Sequence, residues 1–243
     1  MHHNPNNRRC DAHCHLGSKL TFEGRTILNG TSPEDWSKVI DFAANRPTIL
    51  PAIGLHPWQV RDAPPDWQEQ FLAGLDAGAC AVGEIGLDRH FAKDSFDAQR
   101  DAFTWQLERA AERNLPVSIH CLKATDSLLH LLRETDSPTR GIHLHAYSGS
   151  AEEAAQFVEL GAYFSFHADQ LSPPARKAPE ALQCIPLDRL LIESDAPDTL
   201  KPNMNQRDYL ETAYQRAAKI CDIPLLEVTE RVMANFHRYF LDD

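Results

Sequence analysis

The stretch Asp11-Ala12-His13-Cys14-His15 is the starting point for interpreting this sequence, because it fits a short β-strand that ends in two histidines. Side chains alternate between the two faces of a strand, so His13 and His15 share one face with Asp11. Two imidazoles on one face can bind one divalent metal ion, and Asp11 is placed to orient one of them. Taken alone, this motif is also compatible with a polar patch at a strand end.

Strand-like apolar runs alternate with helical patterns along the rest of the chain, which is typical of a parallel sheet. Eight strands are predicted, at about 9–14, 25–30, 48–55, 80–87, 117–120, 141–145, 163–167 and 190–195. Eight strands with intervening helices in 243 residues predict a (β/α)8 TIM barrel, as a single domain over residues 1–243. The first two strands lie too close in sequence for an ordinary covering helix, so the first βα connection is expected to be shortened.

Charge and composition limit the function classes. The formal net charge of -11 argues against a broadly basic nucleic-acid surface, although a local phosphate site is compatible with it. Six scattered cysteines without Cys-x-x-Cys spacing suggest reduced thiols in a cytoplasmic protein. Residues 1–9 lack an apolar segment, so no signal peptide is expected. No apolar run reaches membrane-spanning length, and a monomer is the default expectation.

Five of the predicted strands end in residues that can bind a metal ion. They are His13 and His15 on the first strand, Glu84 on the fourth, His120 on the fifth, His145 on the sixth and Asp195 on the eighth. Active-site residues of a TIM barrel lie at these carboxyl ends. Four imidazoles and two carboxylates suit zinc, manganese, iron or nickel, whereas magnesium prefers a shell richer in oxygen. Six ligands exceed the needs of one catalytic zinc, so two divalent ions that share a bridging carboxylate are predicted.

Other polar residues near the strand ends are candidates for substrate binding. His167 ends the seventh strand and is expected to face the mouth of the barrel. His56 precedes a proline and fits a turn as well as a binding role. Asp88 and Arg89 follow the fourth strand, where an orienting role and a solvated loop are equal alternatives. His143 is expected to be a hydrogen-bonded histidine inside the barrel and not a ligand.

With these residues in place, the sequence resembles the TatD family of metal-dependent hydrolases, within the amidohydrolase-like barrels. The segments that carry the resemblance are Asp11-Ala12-His13-Cys14-His15-Leu16, Gly54-Leu55-His56-Pro57, Gly83-Glu84-Ile85-Gly86-Leu87-Asp88, Leu115 to Cys121, His145 to Gly149, and Glu193-Ser194-Asp195-Ala196-Pro197. They occur in the family's order and cover nearly the whole chain.

The resemblance implies which residues hold each of the two metal ions. His13 and His15 would hold one metal ion together with Asp195, His120 and His145 would hold the second, and Glu84 would bridge them. Asp195 would accept the proton of the attacking water, so Asp195 and Glu84 are the expected catalytic residues. The implied reaction is hydrolysis of phosphodiester bonds, as by a deoxyribonuclease acting on DNA 3′ ends.

Two alternatives stay open at this point. Leu122 stands where the family usually has an arginine suited to gripping phosphate, and Lys123, the next residue, is the candidate replacement. A small-molecule amide, lactone or phosphoester is therefore an alternative substrate to DNA. A non-catalytic binding module with a structural metal is the second alternative, although no closed four-ligand site is recognisable.

Overall fold

The computed structural model describes residues 9–17 and 24–242. The expectation that the N-terminus carries no signal peptide falls almost wholly on residues outside this range. The same holds for most of the first βα connection, because residues 18–23 lie outside the described part.

Eight parallel strands form one sheet in which neighbours in sequence are neighbours in space. They are β1 (Cys10–His15), β2 (Arg25–Gly30), β3 (Ile49–Ile53), β4 (Ala81–Asp88), β5 (Val117–Leu122), β6 (His143–Leu144), β7 (Tyr163–Phe166) and β8 (Leu190–Ile192). The last strand returns to the first, since the amide of His15 donates to Ala196 O over 2.7 Å and that of Asp195 donates to His13 O over 2.9 Å. The predicted TIM barrel is confirmed.

Helices cover the outside of this sheet. They are α1 (Pro33–Ala43), α2 (Trp67–Asp76), α3 (Phe96–Glu112), α4 (Thr125–Glu134), α5 (Ala151–Glu159), α6 (Lys177–Cys184), α7 (Gln206–Cys221) and α8 (Leu225–Phe236), followed by a π-helical turn, His237–Leu241. Helix α6 was not predicted, because its buried residues are mostly small and lack the leucine stripe that reveals α4. In the described ranges, no helix has both the length and the apolar character that crossing a membrane requires.

Four predicted strands, the third, sixth, seventh and eighth, are shorter than their sequence patterns suggest. Strand β6 is limited to two residues, and β8 ends at Ile192, three positions before Asp195. Asp195 leaves the extended conformation with φ +50°, in the left-handed region that aspartate tolerates better than most residues. The chain therefore turns toward the barrel mouth where the sequence pattern predicts continued strand.

Buried tyrosines hold the opposite, amino-terminal end of the barrel. The Tyr239 hydroxyl accepts a hydrogen bond from the amide of Val117 over 2.9 Å and donates to the carbonyl of the same residue over 2.7 Å. Tyr214 bonds Cys10 in the same two ways, at 3.1 and 2.9 Å. These contacts tie the C-terminal segments to the first residues of β5 and β1, so the end of the chain stabilises the barrel below the site.

We expect Tyr239→Phe to lower the free energy of unfolding by about 1–3 kcal/mol, because it removes the hydrogen-bond partner of two buried backbone groups. Urea denaturation measures the change. Tyr163→Phe is the matched control, since its ring packs 4.7 Å from that of Tyr239 while its hydroxyl bonds no residue in the described part of the chain. Equal losses in the two variants would contradict a specific role for the Tyr239 hydroxyl.

Candidate metal centre

The carboxylate of Glu84 lies at the centre of the barrel mouth and is only 3% exposed. Five imidazole nitrogens lie within 3.3 Å of its oxygens: Nε2 of His13 and His15 near Oε2, and Nε2 of His145, Nδ1 of His120 and Nε2 of His56 near Oε1. Burial raises the pKa of Glu84, but the surrounding histidines outweigh it and hold the pKa well below its usual range. The group is an ionised carboxylate with histidines on both oxygens.

Irregular strand geometry positions these side chains. The register of β1 against β2 shifts between Asp11 and Cys14, and that of β4 against β5 shifts between Val82 and Ile85. Such irregularities re-aim side chains and are common beside active sites.

Asp195 is the second acidic group at the mouth, with its Oδ1 3.7 Å from Nε2 of His15. Its side chain is 21% exposed, against 4% for that of Glu84, so Asp195 is the carboxylate that a substrate or a water molecule can reach. Burial raises the pKa of Asp195 to about 7, although the charge on His145 opposes this.

Asp11 supports Asp195 from below and does not contact an imidazole ring in the described structure. Its carboxylate accepts hydrogen bonds from the amide and hydroxyl of Ser194 over 2.8 and 2.5 Å, and from Gln206 over 2.8 Å. It also accepts the amide of His13 over 3.3 Å. Asp11 therefore joins the end of β1 to the turn that carries Asp195.

Hydrogen bonds at the outer nitrogens distinguish His15 from His56. Nδ1 of His15 donates to the carbonyl of Asn29 over 3.1 Å, because a carbonyl can only accept, so Nε2, which faces the centre, is the nitrogen left for a metal ion. Nδ1 of His56 instead accepts the amide of Trp58 over 3.2 Å, so neutral His56 carries its proton on Nε2. His15 has the tautomer of a metal ligand, and His56 has that of a hydrogen-bond donor.

Asp88 fixes His120 in the same way. Its Oδ2 lies 3.1 Å from Nε2 of His120 and accepts Nε1 of Trp58 over 2.6 Å, while Oδ1 accepts the amides of His90 and Phe91. Burial raises the pKa of Asp88, but these hydrogen bonds outweigh it and lower the pKa below its usual range. The ionised Asp88 accepts a hydrogen bond from Nε2 of His120, so Nδ1, 3.0 Å from Glu84 Oε1, is the nitrogen that a metal ion would bind.

A buried hydrogen-bond relay runs beneath the centre from Glu193 to His13. We use "relay" for Ser118, His143, Ser165 and Glu193, which lie on or just beyond β5 to β8. Its distances are 2.5 Å from Ser165 Oγ to Glu193 Oε2, 2.6 Å from His143 Nε2 to Ser165 Oγ, 3.3 Å from His143 Nδ1 to Ser118 Oγ and 2.8 Å from Ser118 Oγ to His13 Nδ1.

The carboxylate of Glu193 sets the direction of every hydrogen bond in the relay. Ser165 gives its one proton to Glu193, so it must accept the Nε2 proton of His143. Burial lowers the pKa of His143 to about 3, so the ring is neutral and its Nδ1 accepts from Ser118. Ser118 then accepts the Nδ1 proton of His13, whose Nε2 lone pair is left facing Glu84.

The other oxygen of the Glu193 carboxylate faces His145. Oε1 lies 3.5 Å from Nδ1 of His145, and neither atom has a hydrogen-bond partner in the described part of the chain. Burial raises the pKa of Glu193, but its contacts with His145 prevail and lower the pKa to about 2. Burial lowers the pKa of His145, but Glu84 and Glu193 outweigh it and raise the pKa well above its usual range, so both ring nitrogens carry protons and Nε2 donates to Glu84 over 2.7 Å. A metal ion here would take the place of the Nε2 proton, while Glu193 would keep the proton on Nδ1.

These side chains fit divalent metal ions. Four imidazole nitrogens that a metal ion could bind, those of His13, His15, His120 and His145, lie around one buried carboxylate, with Asp195 at the edge. Each of the four rings has an acceptor at its outer nitrogen, as metal-binding histidines almost always do. A mixed nitrogen and oxygen donor set suits borderline cations.

The predicted substrate residues are spread around the mouth. A cleft of about 710 Å³ opens over Glu84 and is lined by His56, Leu122 and Asp195 among others. Lys123 lines a side cavity of about 230 Å³ next to this cleft. Arg89 and His167 are outside the wall of the cleft, since Arg89 bonds Ser127 over 3.1 Å and His167 bonds the Tyr209 hydroxyl over 3.0 Å.

Sequence reasoning assigned no role to Glu193, Ser118, Ser165 or Trp58. Glu193 and Ser118 each lie two positions before a predicted ligand, Asp195 and His120, and this spacing is a weak signal for a supporting residue. No sequence pattern connects four residues on four different strands, so the relay is visible only in three dimensions.

The comparison with known families gives the assignment. Residues 10–241 match the family described as TatD related DNase. The chain belongs to this family. It is 31% identical over 224 residues to the uncharacterized metal-dependent hydrolase YjjV of Escherichia coli (strain K12), covering 89% of this chain and 86% of that protein. The crystal structure of YjjV, a TatD homolog, superposes with a TM-score of 0.89 over 98% of this chain and 100% of that one, at 26% identity.

A second relative carries a more specific name. The 3'-5' ssDNA/RNA exonuclease TatD of Cronobacter sakazakii (strain ATCC BAA-894) is 34% identical over 191 residues, which cover 74% of this chain and 70% of that protein. The predicted family is confirmed. As a TatD-family member the chain is a metal-dependent hydrolase that acts on ester bonds, and its histidine and glutamate clusters suit divalent metal binding.

We expect Ser165→Ala to weaken metal binding by about 10-fold or more, because it separates Glu193 from His143 and releases the tautomer of His13. Titration of the metal-free protein against a competing chelator measures the affinity. Ser148→Ala is the control, since that exposed serine lines the cleft but not the relay. A Ser165→Ala protein with the affinity of the control would show that the relay does not support the ligands.

Proposed function

We propose that this TatD-family enzyme is a phosphodiesterase that shortens single-stranded DNA from its 3′ end, with two divalent metal ions, zinc being the expected metal and manganese, nickel, iron or magnesium the alternatives. The observation that carries the proposal is the Glu84 carboxylate with histidine nitrogens near both of its oxygens. That arrangement suits a carboxylate shared between two ions. The name of the Cronobacter relative supports the substrate and the direction of digestion.

The side chains divide into two sets around Glu84. His13, His15 and Asp195 would hold one ion, and His120 and His145 would hold the other. Divalent ions there would supply Lewis acidity, which acidifies a water molecule and stabilises negative charge on phosphoryl oxygens.

Asp195 is the proposed proton acceptor. Its carboxylate lines the cleft and is the more accessible of the two acids, so the attacking water can donate to it directly. Asp11 and Ser194 hold the turn that presents it.

His56 is the proposed contact to the phosphate among the predicted substrate residues. Its Nε2 proton points into the centre, so a neutral ring donates a hydrogen bond to a phosphoryl oxygen there. Lys123 in the side cavity would offer a positive charge to a neighbouring phosphate in place of the missing arginine. Substrate roles for Arg89 and His167 stay predictions.

A small-molecule ester, amide or lactone is the second candidate substrate. It is favoured by Leu122 in the cleft wall, where an apolar side chain replaces a phosphate-binding cation, and by the net charge of -11. The assignment to a hydrolase family argues against the non-catalytic binding module.

We also propose a cytoplasmic monomer. All six cysteines are free thiols, and several are buried in the barrel, which suits a reducing compartment. Size-exclusion chromatography with light scattering tests the oligomeric state.

The substrate proposal is tested by incubating metal-reconstituted protein with a short, 5′-labelled single-stranded DNA. We expect stepwise shortening from the 3′ end by the wild type and at least a 100-fold slower reaction by Asp195→Asn, which keeps the shape of the side chain but cannot accept the proton. Asp195→Asn is also the control for a contaminating nuclease. No cleavage by wild-type protein that contains two ions per chain would contradict the DNA substrate and favour the small-molecule candidate.

We expect Glu84→Gln to lose bound metal and activity together, because an amide cannot bridge two cations as a carboxylate does. Elemental analysis gives the metal content, and Asp195→Asn, expected to retain at least part of its metal, is the comparison. A Glu84→Gln protein with full metal content would contradict the shared-carboxylate arrangement.

A further inference from the structure

Two aromatic side chains are exposed beside the cleft, although exposed aromatics are costly in a soluble protein. In the part of the chain that the structure describes, the large hydrophobic side chains that are well exposed are Trp58 at 49%, Phe91 at 67% and Leu226 at 57%. Leu226 lies on α8, away from the cleft. Trp58 lines the cleft, and Phe91 lies against Trp58 with ring centroids 5.4 Å apart. We call Trp58 and Phe91 the aromatic rim.

The rim is built into the metal centre and is not a pair of loose surface residues. The indole nitrogen of Trp58 donates to Asp88 Oδ2 over 2.6 Å, and the amide of Phe91 donates to Asp88 Oδ1 over 2.8 Å. The same carboxylate holds His120. One buried acid therefore sets the position of both rim residues relative to a proposed metal ligand.

The rim lies one imidazole ring away from the centre of the site. The Trp58 ring makes edge contacts with His56 and His120, at centroid distances of 4.9 and 6.1 Å, and both imidazoles reach Glu84. One five-membered ring thus separates the indole from the place where the scissile phosphate would lie. A sugar, which is also a five-membered ring, separates the phosphate from the base in a nucleotide.

Charge is a poor source of affinity for a polyanion in this protein. With a net charge of -11, broad electrostatic attraction to a nucleic-acid strand is absent. Stacking on aromatic side chains contributes about 1–3 kcal/mol per base in proteins that bind single strands, and it works for every base. The rim offers this second source of binding energy next to the reacting bond.

We propose that Trp58 and Phe91 form a stacking site for an unpaired nucleobase next to the scissile phosphate. This inference rests on the proposed nuclease function and adds to it the requirement for a base that is free to stack. A base held in a duplex is paired along its edge and stacked on its neighbour, so it cannot turn into the site without breaking its pair, and the site favours single-stranded ends. Because every base has an aromatic face, the site gives little preference for sequence.

The test compares two single-stranded oligonucleotides of one length, one with normal bases and one whose 3′-terminal nucleotides are abasic. We expect the wild type to show a KM about tenfold higher for the abasic strand, with a smaller change in kcat. In Phe91→Ala the KM for the normal strand rises and the ratio of the two KM values falls toward one. Phe91→Tyr, which keeps a stacking ring, restores the wild-type ratio.

Leu226→Ala is the matched control, because it removes an equally exposed hydrophobic side chain that does not line the cleft. It is expected to keep the wild-type KM ratio. A wild type that does not distinguish the two strands, or a Phe91→Ala protein that keeps the full ratio, would overturn the stacking site.

A binding measurement separates failure of this inference from failure of the nuclease proposal. The measurement uses metal-loaded Asp195→Asn and follows tryptophan fluorescence as each strand is added. Trp58 is the most exposed of the four tryptophans, so a base that stacks on it should quench the emission. Quenching by the normal strand but not by the abasic strand supports the site even if wild type hydrolyses neither. Equal quenching by both strands, or quenching that persists in Trp58→Phe, would contradict it.

Discussion

The structure of the barrel mouth depends on one buried negative charge, the carboxylate of Glu84. An ionised carboxylate this deeply buried is costly unless positive charge or hydrogen-bond donors compensate for it. Five imidazoles meet at its two oxygens, two from β1, one from β5, one from the end of β6 and one from the loop after β3. In the proposed enzyme, divalent ions provide the compensation, and the histidines turn their lone pairs toward them.

Acids beneath and beside the centre decide which histidines can bind metal. Glu193 acts directly on His145 and through three neutral groups on His13, while Asp88 acts on His120. His56 lacks such an acid and accepts a backbone amide, so it becomes a donor. Asp88 also anchors the aromatic rim, so the orientation of a ligand and the position of the proposed base-stacking site depend on the same side chain.

Much of the architecture could be predicted from the sequence, because strand periodicity and the TIM-barrel rule place side chains at one end of the sheet. The positions of His13, His15 and Glu84 at the barrel mouth can be predicted from the alternation of side chains along two strands. Asp195 required the family pattern, since β8 ends three residues earlier and a left-handed turn carries the side chain into the mouth. The roles of Glu193 and Ser165 could not be predicted, because they depend on contacts between strands and on which nitrogen carries a proton. An orienting role for Asp88 is one of the two alternatives that its position after the fourth strand allows, and its contact with His120 decides between them.

The most direct test of this account is a crystal structure of the metal-loaded protein with anomalous data collected at the metal absorption edge. We expect two anomalous peaks on opposite sides of the Glu84 carboxylate, with His15 and His145 bound through Nε2 and with His56 not bound to either ion. A single ion, or two ions with Glu84 outside the coordination shell of one of them, would contradict the central claim that one buried carboxylate organises the site.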